Sequence, residues 1–213
     1  MRNRTILTLA LAGSFCFASL PREAQGQRPG GLPARQALDL VGQQFGAEQV
    51  ALIVEMRGMG GVPEPESWKI WVWDERTRLM VREFQARAGR ATNEGSSEEF
   101  YPRRSPFGII RNADLKLDSK AAFVIAEAEA RKAKMGFDSL NYILRCREFS
   151  REPIWTLELV DTVGEIVGKV YISGSTGAVL RTVWIYRGAR GRPGGIPRIV
   201  DSAEPSVSGA GLE

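Results

Sequence analysis

The sequence has no histidine among its 213 residues and only two cysteines, Cys16 and Cys146. Histidine is the commonest general base and a common transition-metal ligand, so its absence excludes Ser-His-Asp and Cys-His catalytic devices. One or two cysteines with carboxylates alone would make an unusual zinc site. The composition therefore predicts a protein that is not an enzyme, with no catalytic residues, no metal site and no cofactor.

Residues 1–26 have the features of a secretory signal. A start that contains Arg2 and Arg4 precedes an apolar run over residues 5–20, and Ala24-Gln25-Gly26 fits the small-x-small cleavage rule. The apolar run is short for a membrane-spanning helix. We therefore expect a bacterial protein that is exported to the periplasm or secreted. After cleavage it would have one thiol and no transmembrane segment.

Acidic and basic residues are nearly balanced, with a formal net charge of +4, part of which lies in the predicted signal. A nucleic-acid partner requires a concentrated basic face. The arginines of residues 187–213 lie among Gly, Pro and Ser, which is a composition typical of disorder. We interpret this segment as a disordered tail, and the predicted export argues against nucleic acid as a partner.

Two stretches of the chain show the same order of predicted elements, a helix followed by strands. They cover residues 27–87 and residues 114–186, and a stretch rich in Gly, Ser, Arg and Glu, residues 88–113, has the composition of a linker. This order predicts an α+β fold of two tandem units. In each unit, one helix packs on an antiparallel sheet of three or four strands. The sequence leaves open whether the two units share one sheet.

Aromatic residues recur at matching places in the two units. Trp68 and Trp155 each begin the second predicted strand, and Phe84 and Tyr171 follow these tryptophans at the same separation of 16 residues. This spacing favours an internal repeat, in which the second unit is a diverged copy of the first.

The second unit contains an Ala-rich helix that ends at Gly136, an aromatic-led strand from Trp155, and the turn Thr176-Gly177 followed by a short terminal strand. In this pattern it resembles a PepSY domain, although Ser173 stands where that family often has Asp. The first unit resembles the family only through the internal repeat, because it lacks the Thr-Gly turn. The resemblance implies a secreted or envelope-associated module without catalytic activity, which binds, inhibits or modulates peptidases or other envelope proteins.

Aromatic side chains are the candidate partner-binding residues. Trp71 and Trp73 alternate with Ile70 and Val72, so they are expected on the sheet face opposite the helix, where exposed aromatics suit protein binding. Tyr171 and Trp184 are the candidates on the matching strands of the second unit. The alternative is that another part of the chain or a second copy covers these side chains.

We therefore expect an exported protein that works by protein or peptide binding, through strand addition at sheet edges and through the aromatic face. A module for a small apolar ligand and a structural envelope protein are the alternatives. The sequence leaves the partner's identity, the oligomeric state, the cleavage site and the choice among inhibitor, chaperone and sensor roles open.

Overall fold

A computed structural model describes residues 31–96, 108–146, 151–186 and 198–203. Its helices are α1 (Ala34–Phe45) and α2 (Ser119–Lys132), with short 3-10 turns at Ala47–Val50 and Asn112–Asp114. Its strands are β1 (Leu52–Gly61), β2 (Ser67–Trp73), β3 (Val81–Arg87), β4 (Arg90–Ser96), β5 (Ile110–Arg111), β6 (Ser139–Cys146), β7 (Pro153–Val160), β8 (Ile166–Ser173), β9 (Val179–Tyr186) and β10 (Arg198–Ala203). The predicted signal lies outside the described residues.

The two helices begin and end where local chemistry permits. Pro33, with its fixed backbone, precedes the first residue of α1, and Gly46 ends this helix with a φ of 105° that favours glycine. At α2 the Asp118 carboxylate caps the first turn by accepting a hydrogen bond from the Ser119 backbone N–H. The buried positions of α2 are Ser119, Ala122, Ala126 and Ala130, whose small side chains let the helix approach the sheet closely.

The described strands form one antiparallel sheet, in the order β10-β9-β8-β7-β6-β1-β2-β3-β4, with the two-residue β5 also pairing β1. The predicted fold class, two tandem units that each pack one helix on a sheet of three or four strands, is therefore wrong, because the two halves form a single ten-stranded sheet. The first long strands of the two halves, β1 and β6, pair with each other in the middle of the sheet. Each would otherwise leave a row of backbone N–H and C=O groups unpaired.

Both helices lie against the same face of this sheet. The side chains of α1 and α2 belong to one continuous buried core, which also takes in strand residues from β1 to β9. Helix α1 packs over β2, β3 and β4, whereas α2 packs over β7 and β8. The opposite face carries no helix among the described residues.

Three aromatic rings fill the centre of the core. The ring centroids of Trp68 and Trp155 are 5.9 Å apart, and Tyr142 lies 5.7 Å from the first and 6.4 Å from the second. All three side chains are buried. They come from β2, β6 and β7, so the contacts extend across the β1–β6 junction and bind the two halves into one core.

Each of these tryptophans is also bonded to the chain just before a helix. Trp68 Nε1 donates to the Leu32 carbonyl at 2.6 Å, and Trp155 Nε1 donates to the Leu117 carbonyl at 2.9 Å. Each acceptor lies two residues ahead of the first residue of its helix. The two halves thus use the same contact to hold a helix start over the sheet.

The matching of Phe84 with Tyr171 does not hold in three dimensions. Phe84 is buried opposite Ile70, on the helix side of the sheet, whereas Tyr171 pairs with Thr156 on the other side. The hairpin loops before β3 and β8 differ in length, and β7–β8 has a register irregularity beside its loop. Because a one-residue shift moves a side chain to the opposite face, equal spacing from the tryptophan did not preserve the face.

Parts of the predicted linker and the predicted tail are strands. Within residues 88–113, β4 pairs with β3 through a tight turn at Gly89, whose φ is 73°. Within residues 187–213, β10 pairs with β9. Residues 97–107, 187–197 and 204–213 lie outside the described residues.

Replacing Trp155 by phenylalanine tests the central cluster. We expect Trp155→Phe to lower the free energy of unfolding by about 2–4 kcal/mol, because it leaves a cavity and removes the donor for the Leu117 carbonyl. Trp73→Phe, on the other face and only partly buried, is the matched control and should cost less than about 1 kcal/mol. Urea denaturation followed by circular dichroism measures both. Equal losses would contradict the assigned role of the cluster.

Candidate binding site at the β9 edge

Trp71 lies on the helix-free face, as its position in the strand predicts, but it is fully buried. The guanidinium of Arg57 lies 5.1 Å from the centre of its ring and the ammonium of Lys69 lies 5.8 Å away. Its Nε1 donates to Glu83 Oε2 at 2.9 Å. Charged side chains from its own strand and from the two neighbouring strands thus cover the indole, and Trp71 offers no aromatic surface to a partner.

Trp73 is partly buried on the same face, where it packs against the small cluster of Val54, Trp71 and Val81. Its Nε1 makes only a long hydrogen bond, 3.4 Å, to the Glu75 side chain. Of the two candidates in the first half, Trp73 alone keeps accessible aromatic surface.

The two candidates of the second half lie on opposite faces. Trp184 is on the helix side, 5% exposed, with its ring against Gly168, where a Cβ would overlap it. Tyr171 is partly buried on the helix-free side, with the Arg181 guanidinium 5.6 Å from the centre of its ring. Four strand spacings separate β2 from β8 in the sheet, roughly 19 Å, so Tyr171 and Trp71 do not form one patch.

The outer edge of β9 carries the strongest candidate for a binding site. Strand β10 pairs with β9 along its whole length, from Arg198 opposite Tyr186 to Ala203 opposite Arg181. The element order of the first half, a helix and four strands, has no counterpart of β10. Among the described residues, no strand covers the outer edge of β4, the strand that corresponds to β9.

Side chains fix the register of β10 on this edge. Arg181 donates from Nε to Asp201 Oδ1 at 2.9 Å, and its Nη2 also contacts Asp201 Oδ2, so the pair is bidentate. On the helix side, the hydroxyls of Thr182 and Ser202 are 2.6 Å apart. Val200, opposite Trp184, packs against the main core. The edge thus provides one charged, one hydroxyl and one apolar contact in addition to its backbone groups.

In the contact between Arg181 and Asp201, each side chain favours the charged form of the other. Hydrogen bonds from Arg181 lower the pKa of Asp201, and the same bonds raise the pKa of Arg181. Both side chains are well exposed to solvent, at 46% and 42%. An exposed pair of this kind contributes more to register and partner choice than to affinity.

A second polar cluster lies where the starts of the two helices meet. Ser119 Oγ accepts from the Ala34 backbone N–H at 2.9 Å and donates to Glu64 Oε2 at 2.7 Å. The Asp118 carboxylate accepts from the Arg35 backbone N–H at 3.0 Å. Glu64, from the β1–β2 loop, is buried, and its Oε1 has no hydrogen-bond partner among the described residues.

Burial raises the pKa of Glu64 to about 7, and the nearby charge of Asp118 adds to the effect, while the Ser119 hydrogen bond and Lys120 oppose it. Burial and the charge of Glu64 likewise raise the pKa of Tyr142, whose hydroxyl donates to the Pro63 carbonyl. The loop, α1 and α2 are therefore joined by a carboxyl group that titrates near neutral pH.

Neither Cys146 nor the carboxylates of the described residues form a group that could hold a metal ion. Burial raises the pKa of Cys146, against the opposing charge of Arg151, which disfavours the nucleophilic thiolate. Within the described ranges, no group of three acidic or Cys side chains could hold a metal ion. In the same part of the chain, no helix is long and apolar enough to span a membrane.

The chain matches no protein-family model, no curated protein and no solved structure. The resemblance of the second half to the PepSY family therefore stays a prediction. So do the export signal and the periplasmic or secreted location.

Sequence reasoning missed the β9 edge because β10 is short and lies in a segment dominated by Gly, Pro, Ser and Arg. Its one sequence signal is the pair Ile199-Val200, two β-branched residues after Pro197. Of the predicted site residues, Trp184 lies on this edge, where it pairs with Val200, and Tyr171 contacts Arg181 from the next strand.

The raised pKa of Glu64 makes stability depend on pH. The folded state holds the proton of the Glu64 carboxyl more tightly than the unfolded chain does. The stabilisation that this proton provides is therefore complete below about pH 4.5 and is lost as pH rises through 7. We expect the free energy of unfolding of the unmodified protein to fall by an amount on the order of 2 kcal/mol between pH 5 and pH 8, and we expect Glu64→Gln to remove this fall. Urea denaturation at the two pH values measures it.

Glu66→Gln is the matched control, because Glu66 lies in the same loop but its side chain is 75% exposed. It should keep the pH dependence of the unmodified protein. If Glu64→Gln keeps that dependence too, the carboxyl at the helix junction is not its source.

Proposed function

We propose that this protein is an exported, non-catalytic binding protein that captures an extended segment of another protein by strand addition at the β9 edge. The observation that carries the proposal is β10, a segment outside the repeated order of elements that already occupies this edge as an added strand. In strand addition, backbone hydrogen bonds supply affinity and alternate side chains supply specificity.

The contacts of β10 are those of a replaceable strand. Among the described residues it pairs with β9 alone, and Val200 is the one described side chain of β10 that packs on the core. The charged and hydroxyl contacts are at or near the surface and re-form readily in water. A partner strand with equivalent side chains can therefore take the place of β10 without disturbing the core.

Competition with β10 sets the affinity that a partner needs. A tethered segment has an effective concentration on the order of millimolar at its own site. A partner's apparent association constant is its intrinsic constant multiplied by the fraction of molecules whose edge is free. The intact chain would thus reject weakly complementary segments.

The partner class follows from the predicted export and from the PepSY resemblance. Both favour a peptidase or another envelope protein as the source of the bound segment. Trp73 and Tyr171, the partly buried aromatics of the helix-free face, would add contacts to a partner that extends beyond the edge.

A labelled peptide of residues 197–204 tests strand addition directly. In the full chain, Val200→Asp places a charge against the core and should release β10. We expect the peptide to bind this variant at least about tenfold more tightly than the unmodified protein, measured by fluorescence anisotropy up to about 1 mM peptide.

Ile199→Asp is the matched control, because Ile199 is 62% exposed on the neighbouring position of β10. It should bind the peptide as weakly as the unmodified protein does. Absence of peptide binding to a folded Val200→Asp variant, as judged by circular dichroism, would overturn the proposal.

A further inference from the structure

We propose, on the basis of the proposed function, that the segment captured at the β9 edge carries an apolar residue followed directly by an acidic one. The acidic side chain would pair with Arg181 on the helix-free face, and the apolar side chain would pack beside Trp184 on the helix face. Val200 and Asp201 hold these two positions when β10 occupies the edge.

Arg181 is held in position to recognise a carboxylate. Its guanidinium lies 5.6 Å from the centre of the Tyr171 ring, which limits its motion and leaves its N–H edge free to turn toward the added strand. The two hydrogen bonds to Asp201 use the planar fork that matches a carboxylate. A lysine at this position would supply a charge but not this geometry.

The neighbouring cation on this face is already paired. Lys169, on β8, lies opposite Val183, the residue that faces Asp201 on the other side of β9. Its ammonium is 2.6 Å from Glu158 Oε1, so its charge is balanced within the sheet. Recognition of an acidic side chain at the edge thus depends on Arg181.

The apolar position is defined by the other face. Val200 lies opposite Trp184, whose ring is 5% exposed, and packs against the main core. Successive residues of a strand point to opposite faces, and β10 makes the two contacts with the adjacent residues Val200 and Asp201. A single apolar side chain or a single charge would satisfy only half of the site.

A charge exchange between protein and peptide tests the acidic preference. The protein is the full chain with Val200→Asp, and the probes are the labelled peptide of residues 197–204 and the same peptide with Asp201→Lys. We expect Asp201→Lys to weaken binding about tenfold or more, because it places two cations together. Adding Arg181→Glu to the protein should reverse the preference, so that the lysine peptide binds more tightly.

The matched control peptide carries Ile199→Lys, which adds a positive charge at an exposed position and should bind within about twofold of the original peptide. Equal binding of the original peptide and the peptide with Asp201→Lys would overturn this inference while leaving strand addition intact. If the lysine peptide is weaker but Arg181→Glu does not reverse the preference, then the selectivity does not come from Arg181 and the inference also fails. Binding of no peptide at all would instead contradict the proposed function.

Discussion

The antiparallel pairing of β1 with β6 is the constraint on which the rest of the structure depends. Met56 lies opposite Leu144 and Gly58 opposite Tyr142, so each half completes the sheet of the other. The lack of a side chain at Gly58 makes room for Pro65 and the Trp68 ring. Separating the halves would expose two long strand edges and the aromatic rings beneath them. This explains why the chain forms one broad sheet with both helices on one side.

Joining the halves at their first strands moves the open edges to the outside. The last strands of the two halves, β4 and β9, become the outer strands, and the second of these is covered by β10. An uncovered strand edge invites pairing with other chains, so a covering strand limits unwanted association. In the proposed function, the same cover yields to a better-matched strand. Under the proposed function the edge is therefore protected and selective at once.

Much of the local structure could be predicted, because it is encoded within each segment. The order of a helix followed by strands in each half and the alternation around Trp71 indicated the correct elements and the correct face. The pairing of the two halves could not be predicted, because the alternation of apolar residues in β1 and β6 indicates which face of each strand is buried but not which strand lies beside it in the sheet. Strand β4 has one buried side chain, Ala91, and so gives almost no pattern. The burial of Trp71 could not be predicted, because it depends on long cationic side chains at other positions. The role of the β9 edge could not be predicted either, because it depends on β10, whose two β-branched residues are too few to indicate a strand.

Native-state hydrogen exchange, followed by NMR at each amide, tests most directly whether β10 is a replaceable strand. Exchange from local opening requires less free energy than global unfolding, and different segments of one protein can be compared in a single experiment. We expect the amides of β10, and those of β9 that face it, to exchange through a local opening well below the free energy at which β1 and β6 exchange. Equal protection of β10 and of the central β1–β6 pair would show that the edge opens only when the whole sheet unfolds, and would contradict the account.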